Sequence, residues 1–145
     1  MSKSREMTPY LPDNLEAGTL PVLPILSVGR GIDFINEVGM EELCYRSHTA
    51  ASACRELLGN MKGVDIYPSF GNIVLFNVQN APSVETEGLL GDMGIGVRGG
   101  FHCAPLMHSE LLHTPDGAVR ASFGAFNTVK DANMLKKCLE KIKKF

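Results

Sequence analysis

Ile73-Val74-Leu75-Phe76-Asn77-Val78 is the stretch on which the fold turns. It is apolar almost throughout and rich in β-branched and aromatic side chains, so it reads as a strand covered on both faces. Before it, Val64-Asp65-Ile66-Tyr67 is a short strand candidate. Pro68 to Asn72 between them has the composition of a turn. After it, Val84 to Met93 reads as a helix with Ser83 as a candidate N-cap. Ile95-Gly96-Val97-Arg98 is a further strand candidate, broken by Gly99-Gly100. Residues 105–112 suit a short helix, Thr114-Pro115-Asp116-Gly117 a turn, and Val119 to Phe123 another strand. The final helix has the clearest start, with Thr128 as N-cap and Asp131 three residues on, where a carboxylate favours the helix N-terminus. Leu135, Cys138, Leu139 and Ile142 make its apolar stripe. Lys136, Lys137, Lys141, Lys143 and Lys144 read as a solvated face near its C-terminus.

Toward the N-terminus the character changes. Pro9, Pro12, Pro21 and Pro24 punctuate residues 1–28. Proline fixes φ and removes a backbone donor, so no long helix or central strand is expected before about Ile25. From there to about Met61 the pattern is helical, interrupted at Gly39 and ending near Gly59-Asn60. The expected architecture is α+β, a small, mostly antiparallel sheet packed with helices and preceded by an extended Pro-rich arm. The expected division is an arm over 1–28 and a domain over 29–145.

Composition narrows the function classes. Hydrophobic residues make up 44% of the 145-residue chain, charged residues 21%, and the formal charge is −2. This balance gives no electrostatic reason to expect nucleic acid or an anionic membrane as partner. No apolar run approaches the ~20 residues of a membrane span. Met1 to Tyr10 is polar and does not read as a secretory signal. The cysteines, Cys44, Cys54, Cys103 and Cys138, match neither a zinc ribbon nor a disulfide scaffold, which suggests reduced thiols in the cytoplasm.

The chemistry concentrates in Val97-Arg98-Gly99-Gly100-Phe101-His102-Cys103-Ala104-Pro105-Leu106. Two glycines allow a sharp turn or a close backbone approach, and a His-Cys pair comes next. A thiol near Arg98 or a protonated His102 would have its thiolate favoured, as a nucleophile needs. A small buried filler is the other reading of Cys103. A zinc site from His102, Cys103, His108 and His113 has suitable ligand types, but its spacing matches no standard zinc module.

Arg-x-Gly-x-His-Cys-Ala over residues 98–104 resembles the segment bearing the catalytic cysteine in cysteine desulfurases of the class V aminotransferase superfamily. Val119-Arg120-Ala121-Ser122-Phe123-Gly124-Ala125-Phe126-Asn127-Thr128 resembles that family's Arg-Ala-Ser to Asn-Thr stretch at the matching separation. Leu15-Glu16-Ala17-Gly18-Thr19 resembles its Glu-Ala-Gly-Thr motif, and Gly31-Ile32-Asp33-Phe34-Ile35 with Gly39 fits the family's next helix. The ordered set covers residues 11–128.

This resemblance implies the C-terminal small domain of a fold-type I transferase that depends on pyridoxal 5'-phosphate (PLP). Cys103 would take sulfur from L-cysteine as a persulfide and release alanine. Arg120 would bind the substrate carboxylate through its planar fork. Arg98 and His102 would contact the substrate or tune the thiol. The resemblance also implies a homodimer, in which Gly18 and the Thr19 hydroxyl approach the PLP phosphate of the partner subunit, and it leaves room for a sulfur-acceptor protein.

The chain departs from the family in two places. The family's PLP lysine lies in a Ser-x-His-Lys stretch N-terminal to all these motifs, and no His-Lys pair occurs here; the lysines are Lys3, Lys62, Lys130, Lys136, Lys137, Lys141, Lys143 and Lys144. The chain alone is therefore expected to be inactive and to bind no PLP, completed by a missing N-terminal PLP domain. After Gly18-Thr19, Leu20-Pro21-Val22-Leu23-Pro24-Ile25 replaces the family's Pro-Gly stretch. It leaves an apolar segment that favours association. Other readings are a selenocysteine lyase, a stand-alone persulfide-accepting thiol domain, and a fragment of a class V aminotransferase or lyase with another substrate.

Overall fold

The computed structural model describes residues 9–16 and 18–142. Its elements, in order, are α1 (Val22–Val38), α2 (Met40–Gly59), β1 (Val64–Tyr67), β2 (Ile73–Val78), α3 (Ser83–Asp92), a single π-type turn (Met107–Leu111), β3 (Val119–Ser122) and α4 (Val129–Ile142). The three strands form one antiparallel sheet in the order β1-β2-β3, giving the expected small α+β architecture. None of the described helices is long and apolar enough to cross a membrane.

The chain forms two compact units, Met1–Gly39 and Met40–Phe145. In the first, residues 11–15 make a turn closed by Asn14 N–H donating to the Tyr10 carbonyl at 3.0 Å. Helix α1 then begins at Val22, so the extended conformation expected over 1–28 ends sooner. The reason is positional. Pro21 occupies the cap and Pro24 lies in the first turn, where backbone N–H groups have no intrahelical acceptor and proline costs nothing. No residue of α1 is buried; Leu23, Ile25, Leu26, Val28 and Ile32 are all exposed. Ala17, Lys143 and Lys144 lie outside the described residues.

The core of the second unit lies on one face of the sheet. Val74, Phe76 and Val78 alternate along β2 and meet Val64, Val119 and Ala121 from its neighbours. Helix α2 contributes Ala50, Ala51, Cys54 and Leu58, α3 contributes Leu90, and α4 contributes Leu135, Cys138, Leu139 and Ile142. Each fully buried Leu or Phe, such as Leu58, Phe76 and Leu139, contributes about 1.5–3 kcal/mol. The expectation that β2 is covered on both faces holds in part. Leu75 is buried on the second face, while Ile73 and Asn77 are half-buried. That second face carries Arg120, the direct partner of Leu75.

Helix α4 is capped as its sequence implies: Lys130 N–H donates to Thr128 Oγ1 at 3.2 Å, and Thr128 N–H donates to Asp131 Oδ2 at 2.7 Å. Ser83 differs from its expected role. It is the first residue of α3 rather than its cap, and its side chain reaches elsewhere.

The strand expected over 95–98 shrinks to one bridge, Arg98 with Arg120. Gly94, at φ 79°, and Gly96 supply no side chains to hold a longer ladder. The glycine pair after the bridge is tightly fastened. Gly99 N–H donates to Glu87 Oε2 at 3.0 Å and Gly100 N–H to Ser83 Oγ at 3.1 Å, while Ser83 Oγ donates to the Asp116 carbonyl at 2.8 Å. The start of α3 thus clamps both limbs of the segment. A Cβ on Gly99 would collide with the Ser83 backbone, and one on Gly117 with the backbone of Gly100. Gly96 has open space. Gly99→Ala should therefore destabilise the fold by about 1–3 kcal/mol, read as a lower urea midpoint, whereas Gly96→Ala should leave the midpoint near wild type.

Candidate functional site

Three backbone segments meet at the site: the end of the 97–100 limb, the 101–104 turn and the start of β3. Arg98 N–H donates to the Arg120 carbonyl at 3.0 Å, and Arg120 N–H donates back to the Arg98 carbonyl at 2.7 Å. Residues paired directly across antiparallel strands project from the same face. The two guanidinium side chains therefore emerge side by side, Arg98 exposed and Arg120 half-buried. Among the described residues neither forms an ion pair with a carboxylate, and Arg120 Nε is buried without a hydrogen-bond partner. Like charges set opposite each other repel, and a shared anion reverses that cost. A carboxylate suits the geometry, since a guanidinium fork can donate two parallel hydrogen bonds to it.

The next residues turn sharply. His102 and Cys103 both adopt left-handed backbone, at φ 51° and φ 59°. Histidine tolerates this region better than most residues, but cysteine seldom enters it. Two such residues in succession store strain that only the surroundings can hold. Three hydrogen bonds do so. His102 Nε2 lies 3.0 Å from the Ala118 carbonyl, Ala118 N–H donates to the Gly100 carbonyl at 3.1 Å, and Ala104 N–H closes the turn on the Phe101 carbonyl at 2.8 Å. Cys103 rides on the crest with its side chain exposed, which removes the reading of it as a buried filler.

His102 is not a cation at neutral pH. Burial pushes its pKa below the usual 6.5; the hydrogen bond to Ala118 raises it, and the charges of Arg120, His108 and Arg98 lower it again. Because Nε2 faces a carbonyl, it carries the ring proton, and Nδ1 is left as an acceptor. His102 therefore cannot favour the Cys103 thiolate as a protonated neighbour.

The structure brings together Arg98, Arg120 and His102, with Cys103 on the same turn. Gly18 and Thr19 belong to the first compact unit, where Gly18 has φ 86° and both residues are exposed. Among the described residues no three His, Cys, Asp or Glu side chains converge as a metal-binding group. His102 and His108 spend ring nitrogens on Ala118 and Thr114 instead.

Several supporting residues escape a reading by sequence. Ser83 and Glu87 hold the glycine limb, and Asn77 holds the start of β3. Asn77 Nδ2 donates to the Gly117 carbonyl at 2.9 Å, and Val119 N–H donates to Asn77 Oδ1 at 3.3 Å. The one available signal was Asn77 itself, a polar residue inside an apolar strand.

Comparison with known proteins agrees with this geometry. The family description Aminotransferase class-V matches residues 2–135, and the chain belongs to that family. It is 31% identical over 137 residues to a probable cysteine desulfurase of Halalkalibacterium halodurans, covering 93% of this chain and 33% of the relative. It is also 31% identical over 136 residues to a probable cysteine desulfurase of Methanothermobacter thermautotrophicus, covering 90% of this chain and 34% of the relative. Among solved structures, the apo cysteine desulfurase of Thermococcus onnurineus superposes with a TM-score of 0.81 at 27% identity, over 92% of this chain and 34% of that one. A cysteine desulfurase of Escherichia coli, at 23% identity and a TM-score of 0.81, shares the fold. The chain spans about a third of the length of these relatives.

The site makes two measurable demands. All four cysteines are free, Cys44 and Cys103 exposed, Cys54 and Cys138 buried, with burial raising the Cys54 pKa to about 12. Brief iodoacetamide treatment at pH 8 should modify Cys103 and Cys44 and spare Cys54 and Cys138, as read by peptide mass. The depressed pKa of His102 makes its contribution to stability complete above the unfolded value of 6.5 and progressively lost as pH falls through 6.5 toward the folded value. The melting temperature should drop over that interval, and His102→Asn, which tolerates the left-handed backbone, should flatten the drop.

Proposed function

We propose that the chain is the C-terminal portion of a PLP-dependent cysteine desulfurase, in which Cys103 accepts sulfur from L-cysteine. The observation that carries this reading is an exposed cysteine held on a double left-handed turn, with two arginines nearby that lack carboxylate partners among the described residues. Residues 1–28 would be a remnant of the large PLP-binding domain, and 29–145 the small domain.

Arg120 would bind the substrate carboxylate and hold the amino acid in one orientation, with Arg98 on the same face adding a second guanidinium. His102, neutral and tied to Ala118, would keep the thiol loop in place. Cys103 Sγ would attack the sulfur of L-cysteine. The substrate's Cβ–S bond breaks, its electron pair stays on Cβ, and a proton taken up there gives alanine. The transferred sulfur remains on Cys103 as a persulfide, for delivery to an acceptor protein. No outside oxidant is required.

PLP, when bound in the complete enzyme, would stabilise the charge left on the substrate carbon until that proton arrives. The residues here do not fit its covalent attachment. The described lysines are Lys62, between α2 and β1, and Lys130, Lys136, Lys137 and Lys141 on α4; none lies on the 97–120 segment that carries Cys103 and both arginines. The attachment lysine would come from a preceding domain. That domain would also cover the exposed apolar side chains of α1, in a cytoplasmic homodimer where Gly18 and Thr19 face the partner subunit's cofactor phosphate.

The test joins this chain to the N-terminal two thirds of the Halalkalibacterium halodurans relative. The expected result is alanine released from L-cysteine and a one-sulfur mass increase on Cys103, with both lost in Cys103→Ser. The chain alone, treated with PLP and borohydride, should show no stoichiometric adduct. Alanine release that survives Cys103→Ser would overturn the role of the thiol. A persulfide formed on Cys103 from a persulfide donor alone, with no alanine from the chimera, would point to a stand-alone thiol domain.

A further inference from the structure

His108 has no part in the proposed sulfur transfer, yet it is fully buried. Its Nδ1 lies 2.8 Å from Thr114 Oγ1, and Thr114 is itself only 3% exposed. The backbone repeats the tie, with Thr114 N–H donating to the His108 carbonyl at 2.8 Å. Phe101 meets the His108 ring edge-on, with centroids 5.8 Å apart. His108 Nε2 is buried without a partner, and so is His102 Nδ1. The two rings are neighbours, with centroids 5.6 Å apart and planes tilted by 49°.

Hydrogen-bond bookkeeping limits what these atoms can do. His102 Nε2 carries its proton toward the Ala118 carbonyl, so His102 Nδ1 can only accept. A buried acceptor left unmet is costly, and a small enclosed polar gap is where single waters settle. The neighbouring ring can supply a donor at Nε2 only if its own Nδ1 accepts. Thr114, whose hydroxyl can donate, meets that condition.

We infer that Thr114 and His108 are positioning residues: the Thr114 hydroxyl donates to His108 Nδ1, placing the His108 proton on Nε2, and that proton reaches His102 Nδ1 through one bridging water, fixing the His102 ring and the left-handed turn that presents Cys103. The chain of bonds runs from Thr114 through both imidazoles to the Ala118 carbonyl, two residues before Arg120. It locks the tautomer of each ring and braces backbone that cysteine would otherwise leave. Its bearing on sulfur transfer rests on the proposed role of Cys103, but the bonding pattern itself does not.

Long-range nitrogen–proton NMR of the imidazoles tests it directly. The expected spectrum of the wild-type chain shows His102 and His108 both protonated at Nε2 alone. A His108 protonated at Nδ1, or a His102 averaging between tautomers, would overturn the inference without any variant. Thr114→Val, which removes the donor at nearly constant shape, should lose the single-tautomer pattern of His108 and change the rate of Cys103 alkylation. Thr114→Ser should restore both. An unchanged His108 spectrum and an unchanged Cys103 alkylation rate in a folded Thr114→Val chain, with Cys54 still protected from alkylation, would also overturn it. If Thr114→Val does not fold, the wild-type tautomers decide. The expected tautomers alongside a Cys103 that never takes sulfur would sink the desulfurase reading and leave this inference standing.

Discussion

The reciprocal pair of backbone hydrogen bonds between Arg98 and Arg120 is the constraint on which the rest of the site depends. It joins a glycine-rich limb that could not pair over a longer stretch to the edge of a three-stranded sheet. It also sets two cationic side chains on one face. Beyond the bridge the limbs approach closely, which Gly99 and Gly117 permit because neither carries a Cβ. Ser83 then ties both limbs to the start of α3. Remove the bridge and the turn bearing Cys103 has no fixed origin.

Two kinds of strain meet here and each has a counterweight. The paired arginines repel each other, and the partly exposed setting of Arg98 keeps that cost small until an anion arrives. The left-handed residues 102 and 103 are held by side-chain and backbone bonds from three directions. On the turn Cys103 is exposed while His102 is half-buried.

Much of this was legible in the sequence, for identifiable reasons. The run 73–78 read as a strand and is one, and Thr128 with Asp131 read as a helix start and caps α4. The stretches carrying Cys103, Arg98 and Arg120 stood out because the motifs around them are ordered along the chain. The failures have physical causes as well. Pro21 and Pro24 looked like helix breakers but occupy the one turn where proline is harmless. The strand at 95–98 has suitable β-branched residues, but its glycines leave it a single bridge. Ser83, Glu87, His108 and Thr114 act through distances that local pattern does not encode, between 6 and 33 residues along the chain.

The bonds made directly to residues 99, 100 and 102 come from one stretch of the chain. Glu87, Ser83 and Ala118 bond residues 99, 100 and 102 respectively, and Asp116 accepts from Ser83. They close loops of 12 to 33 residues, and the cost of closure grows only slowly with length. The thiol-bearing turn thus draws its direct side-chain ties from α3 and its backbone ties from the loop that enters β3.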